Sequence, residues 1–218
     1  AVLGLNEEQK AAAKAMIESV VSEFNGVAKE TREMVAEVEA EFQETRDPSV
    51  FRDKMPGAMR KLGEKRGELE KTFLDDLRLT LTPEQEANWG RFERLRRREA
   101  NQGGGMMGLA GESVDLVKVG ETVGVFDGPT YGKAAEPVKA LFEQYENEMD
   151  KALQEKSRAM ADNPVRRGGG EGMDPEAIQK AVAAVREKSV AVRDINQKYA
   201  RQIGAELGEP LAGKWEAE

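Results

Sequence analysis

The chain has 218 residues, 39% of them hydrophobic, 34% charged and 6% aromatic, with a mean hydropathy of -0.64. That balance suits one or two modest cores built from long helices that bury narrow apolar stripes. A net charge of -8 argues against non-specific nucleic-acid binding, and the lack of any cysteine or histidine removes disulfides, thiolate nucleophiles, the usual zinc sites and imidazole bases.

Carboxylate sites for calcium or magnesium survive in principle, but none of the Asp-rich spacings of an EF-hand is present, so no metal or cofactor is expected. No run approaches the roughly 20 apolar residues of a membrane helix, so no membrane insertion is expected. The opening Ala1-Val2-Leu3, without methionine, fits a processed, exported protein and equally a trimmed chain.

The first predicted helix runs from Asn6 to about Glu44. Ile17, Val20, Phe24, Val27, Thr31, Met34 and Val38 alternate steps of three and four, a heptad seam. Asn6 and Gln9 form a capping-box pair, and Glu7 and Glu8 place negative charge at the positive end of the helix dipole. Asp47-Pro48 is expected to break the helix, and Pro56 to break the chain again.

A second helix then aligns Met59, Leu62, Leu69, Phe73 and Leu77. Gly57, Gly63 and Gly67 weaken it by about 1 kcal/mol each relative to alanine; they either permit close helix contact or mark a frayed surface. In Thr82-Pro83-Glu84-Gln85, Thr82 is the N-cap, Pro83 the favoured first helical residue and Gln85 the reciprocal capping donor. Leu79 and Leu81 are expected to anchor this turn, and the third helix to direct Trp89, Phe92 and Leu95 inward before ending at Gly103-Gly104-Gly105.

Arg91, Arg94, Arg97 and Arg98 crowd the end of that helix. They are candidate contacts to acidic proteins, phosphate-bearing surfaces or nucleic acid. The alternative is a solvated helix end, whose cations complement the dipole and pair with neighbouring glutamates.

Glu112 to Phe126 has alternating β-branched character and reads as a short connector rather than a sheet. A fourth helix spans about Lys133 to Ala161, with Val138, Leu141, Phe142, Tyr145, Met149, Ala152 and Leu153 on its seam and Pro137 placed to kink its start. After a polar Gly-rich loop, Asp174-Pro175 caps the last long helix, with Met173 and Ile178 at staple spacing. Its seam reads Ile178, Ala181, Val185, Val192, Ile195, Tyr199 and Ile203.

The segment ending at Trp89 aligns without gaps to the one ending at Trp215, 126 positions on, matching Phe73 to Tyr199, Leu77 to Ile203 and Leu81 to Leu207. The chain therefore reads as an all-α protein of long antiparallel helical hairpins. Two tandem related halves, residues 1–102 and 127–218 joined by a Gly-rich linker at 103–126, would form an extended or curved bundle.

Leu81-Thr82-Pro83-Glu84-Gln85, with Leu3-Gly4-Leu5-Asn6-Glu7-Glu8-Gln9 as a divergent copy, resembles the LTxxQ motif of the Spy and CpxP type of proteins. The resemblance implies a small, exported, all-helical protein of the periplasm or cell envelope. Its type members are ATP-independent chaperones or stress modulators that form curved dimers and hold unfolded clients on a concave face. It therefore implies a non-enzymatic role and partners that are unfolded or envelope proteins.

A face bearing methionine and arginine would suit adaptable client contact, although Met34, Met59 and Met149 on the seams read as core. The alternative is a structural subunit whose helices build a homo-oligomer or polymer of the envelope or exterior. An enzyme is disfavoured: Asp75 and Asp76, the adjacent carboxylates, diverge by about 100° on a helix and cannot share a substrate.

Overall fold

The computed structural model describes residues 2–102, 109–126, 135–163, 174–209 and 211–217. Gly103-Gly104-Gly105, Lys133 and Met173 lie outside the described residues. The described residues are all-α, with helices α1 (Glu7–Thr45), α2 (Ser49–Leu79), α3 (Pro83–Glu86), α4 (Trp89–Gln102), α5 (Leu116–Val123), α6 (Glu136–Ala161), α7 (Pro175–Glu206) and α8 (Leu211–Ala217). They fall into two units.

One unit is the antiparallel pair α1 and α2, followed by α3. α1 starts at the Asn6 capping box and ends at Arg46, whose φ of 56° is left-handed; Pro48 then begins α2. The turn end is tightly packed: Val38, Val50 and Ala58 are buried, and the rings of Phe42 and Phe51 meet edge-on at 5.0 Å.

Pro56 does not break the chain as expected, but sits inside a continuous α2. Its missing N–H costs one hydrogen bond near the helix start, and the turns beyond sustain the helix. The predicted seams are only partly covered. Thr31, Val38, Leu69 and Leu77 are buried, whereas Ile17 and Met59 are nearly half exposed.

The other unit holds α4, α5, α6, α7 from Gln179 onward, and α8. Its core is Val138, Phe142, Tyr145, Met149 and Leu153 of α6 against Val192, Tyr199 and Ile203 of α7, closed by α5 and by Trp215 of α8. Phe142 makes edge-on ring contacts with Phe126 and Trp215, and Tyr145 does so with Tyr199. Pro137 occupies the second position of α6, where no intrahelical N–H is required.

The segment 112–126 holds no strand, as expected, but it is more than a connector, because its centre is α5, capped by the Asp115 side chain and ended by left-handed Gly124. Leu116, Gly120 and Val123 follow helical spacing, and burial outweighs the β preference of the intervening valines. The units also divide between Ala87 and Asn88 rather than at residue 102, so α4 packs with α6. The predicted third helix is interrupted at that point: α3 ends at Glu86 and α4 begins at Trp89.

Candidate protein-binding site

Asn6 and Thr82 each cap a helix in the hairpin unit, and each is answered by the glutamine three residues on. The Gln9 N–H donates to Asn6 Oδ1 at 2.8 Å and the Asn6 N–H to Gln9 Oε1 at 3.0 Å. The Thr82 N–H donates to Gln85 Oε1 at 3.0 Å and the Gln85 N–H to Thr82 Oγ1 at 3.3 Å, with Pro83 opening α3.

The same two amides then bond each other. Gln9 Nε2 donates to Gln85 Oε1 at 2.7 Å, and Gln85 Nε2 to Gln9 Oε1 at 2.9 Å. Each remaining amide hydrogen goes to a carbonyl two residues before the other cap, Gln9 to Thr80 at 2.7 Å and Gln85 to Gly4 at 3.0 Å. Every donor of both side chains is thereby used, and the open end of the hairpin is closed by a two-sided clasp. Leu81 is half-buried beside it, but Leu79 is 85% exposed and anchors nothing: it falls on the outer face of the last turn of α2.

Between the clasp and the packed turn end, the apolar stripe of α1 is not fully covered. Ile17, Val20, Val21 and Phe24 of α1, with Leu69 and Phe73 of α2, line an open depression of about 390 Å³, edged by Arg66 and Glu70. Ile17 and Val21 are 48% and 50% exposed. Around Leu69, α2 offers Arg66, Gly67 and Glu70, and Leu69 with Phe73 leaves Ile17 and Val21 of the α1 stripe uncovered. The sequence shows the seam; that its partner is deficient follows only from the pairing.

The arginine cluster is spent largely inside the other unit. Arg98 is neither a surface contact nor a solvated helix end, because it is 4% exposed. Its Nε donates to both oxygens of Asp115 at 3.1 Å, and its Nη2 lies 2.9 Å from Glu146 Oε1. Burial opposes the charged guanidinium, but Asp115 and Glu146 outweigh it and hold Arg98 protonated even more firmly than usual.

Arg97 donates Nε and Nη2 to the two oxygens of Asp150, and Arg91 lies 3.6 Å from Glu146. Arg91 and Arg94 also face Glu143, Glu146 and Asn147 across a shallow depression of about 240 Å³. Arg94 Nε and Arg98 Nη1 are buried without an acceptor among the described residues.

The polar interior continues beyond the arginines. Tyr145 accepts the Leu116 N–H at 3.2 Å and donates to Asn196 Oδ1 at 3.0 Å, and burial pushes its phenol far up, keeping it neutral. Asn196 Nδ2 donates to the carbonyls of Gly111 and Val114 at 2.8 and 3.0 Å. Lys156 pairs with Glu112 and with Asn101. Burial alone would raise the Glu112 carboxyl, but Lys156, the Leu109 N–H and Ser189 hold it below the ordinary range.

These contacts pin the segment ahead of α5 to α4, α6 and α7, an organising role that the sequence reading missed. Asp115 before an apolar run and Asn196 in the seam of α7 were the available signals. Trp89 is buried at the start of α4, and buried Trp215 donates Nε1–H to the Ala200 carbonyl at 2.9 Å.

Comparison with family models, curated proteins and solved structures returned no match. Among the described residues, no helix is long and apolar enough to cross a membrane.

Proposed function

We propose that this chain is a non-enzymatic protein of the cell envelope or exterior that binds unfolded or partner proteins, as the LTxxQ-motif chaperones it resembles do. The observation that carries this reading is the uncovered apolar depression of the α1–α2 hairpin, with Ile17 and Val21 half exposed. Singly exposed apolar residues need no explanation, but a contiguous concavity with aromatic walls marks a contact surface.

Arg66 and Glu70 on its rim suit an unfolded segment, in which apolar side chains alternate with charges of either sign. The pairing of Gln9 with Gln85 further supports reading the two motif copies as one structural device. Near-stoichiometric suppression of aggregation of chemically denatured clients, without ATP, is the expected result. Ile17→Asp with Val21→Asp should abolish it while leaving helical content unchanged. No protection across several unrelated clients would remove the reading.

A further inference from the structure

The hairpin is held at its two ends, and Gly26, Gly63 and Gly67 fall between them. Lys65 reaches Glu23 at 3.7 Å and Lys61 reaches Glu30 at 3.6 Å, so Gly26 of α1 and Gly63 of α2 lie at one level, with Gly67 one turn further along α2. All three are exposed, and a Cβ at any of them would meet nothing within 4 Å. Neither close helix approach nor an unusual backbone angle therefore requires glycine here.

What glycine does supply at an exposed helical position is weak helix propensity, about 1 kcal/mol per residue relative to alanine. In the turn of α1 that follows Gly26, the buried Thr31 hydroxyl donates to the Val27 carbonyl at 2.9 Å, a bond that favours bending of a helix. The ion pairs crossing this level are long and solvent-exposed, and resist bending little. On the turn side lies the packed end of Val38, Val50 and Ala58. On the clasp side, starting within two residues of Gly26 and of Gly67, lies the apolar depression.

We infer that Gly26, Gly63 and Gly67 form a hinge across both helices, at which the clasp half of the hairpin bends so that the depression reshapes around the segment it binds. The link to binding rests on the proposed function; the hinge itself does not.

The test replaces all three glycines with alanine, a change that meets no steric obstacle and strengthens both helices, so the variant folds. Because the chain has no cysteine, Lys14→Cys and Glu37→Cys place spin labels on α1 on either side of the hinge. The distance distribution between the labels should be broad in the parent background and clearly narrower in the triple-alanine variant. Binding of reduced, alkylated lysozyme, a permanently unfolded client, should weaken at least threefold in the variant. Equal widths in the two backgrounds overturn the hinge, and a narrowed distribution with unchanged client affinity overturns its role in binding. If the parent binds no client, the proposed function fails, and the hinge is still decided by the widths.

Discussion

Gln9 and Gln85 show how far a single residue's role depends on what the fold brings near it. The capping role of each was legible, because Asn6-x-x-Gln9 and Thr82-x-x-Gln85 are local patterns. Their mutual bond was not, since it joins residues 76 positions apart and depends on how α1 and α2 align. Each alanine substitution should cost about 1–2 kcal/mol, and the double variant should cost less than the sum by about 1 kcal/mol, measured by a denaturation double-mutant cycle. Arg98 makes the converse case, a residue that looked like surface charge and proves to be interior. Arg98→Ala leaves Asp115 buried without its cation and Glu146 with only the longer contact to Arg91, and should destabilise its unit by about 3–5 kcal/mol. Arg98→Met combined with Asp115→Asn and Glu146→Gln should recover most of that loss in the same urea titration.

α5 was the element least legible in the sequence, because a short helix rich in valine presents a strand's composition. Its signals lay at the ends, Asp115 as N-cap and Gly124 in the left-handed region at 82°. Inside it, Gly120 is required for space: a Cβ there would stand 2.6 Å from the Phe126 ring and 2.9 Å from that of Phe142. Gly120→Ala should therefore destabilise by about 1–3 kcal/mol despite the better helix propensity of alanine, and circular dichroism melts would show the lowered midpoint. The same substitution at Gly63 or Gly67 should raise the midpoint, since nothing stands within reach of the added methyl. Glycines that are indistinguishable in the sequence thus carry opposite consequences, and only the neighbours separate them.

At the scale of the molecule, the all-α class and the long seams followed from periodicity, whereas the boundary between units did not. Trp89 and Trp215 marked a repeat in the sequence, yet both lie in one unit, so intrinsic tryptophan fluorescence reads the unit of α4 to α8 and not the α1–α2 hairpin. That separation makes an acid titration informative. Glu112 has a lowered carboxyl value in the folded unit, so its contribution is fully present above the unfolded value of about 4.3. The contribution is lost as pH falls through the lower folded value. The urea midpoint followed by fluorescence should decline over that acid range, and Glu112→Gln should flatten the decline.

The clasp also bears on the order of events in folding. A hairpin zips from its turn, so the contacts around Phe42 and Phe51 close short loops early, while Gln9 meets Gln85 only after the intervening chain is in place. A contact absent from the transition state governs the rate of opening rather than of closing. Substitutions at Gln9 or Gln85 should hasten unfolding of α1, seen by pulsed amide exchange, and leave its refolding rate nearly unchanged. The two glutamines thus set the lifetime of the closed hairpin, a kinetic role that falls to residues whose individual bonds are ordinary.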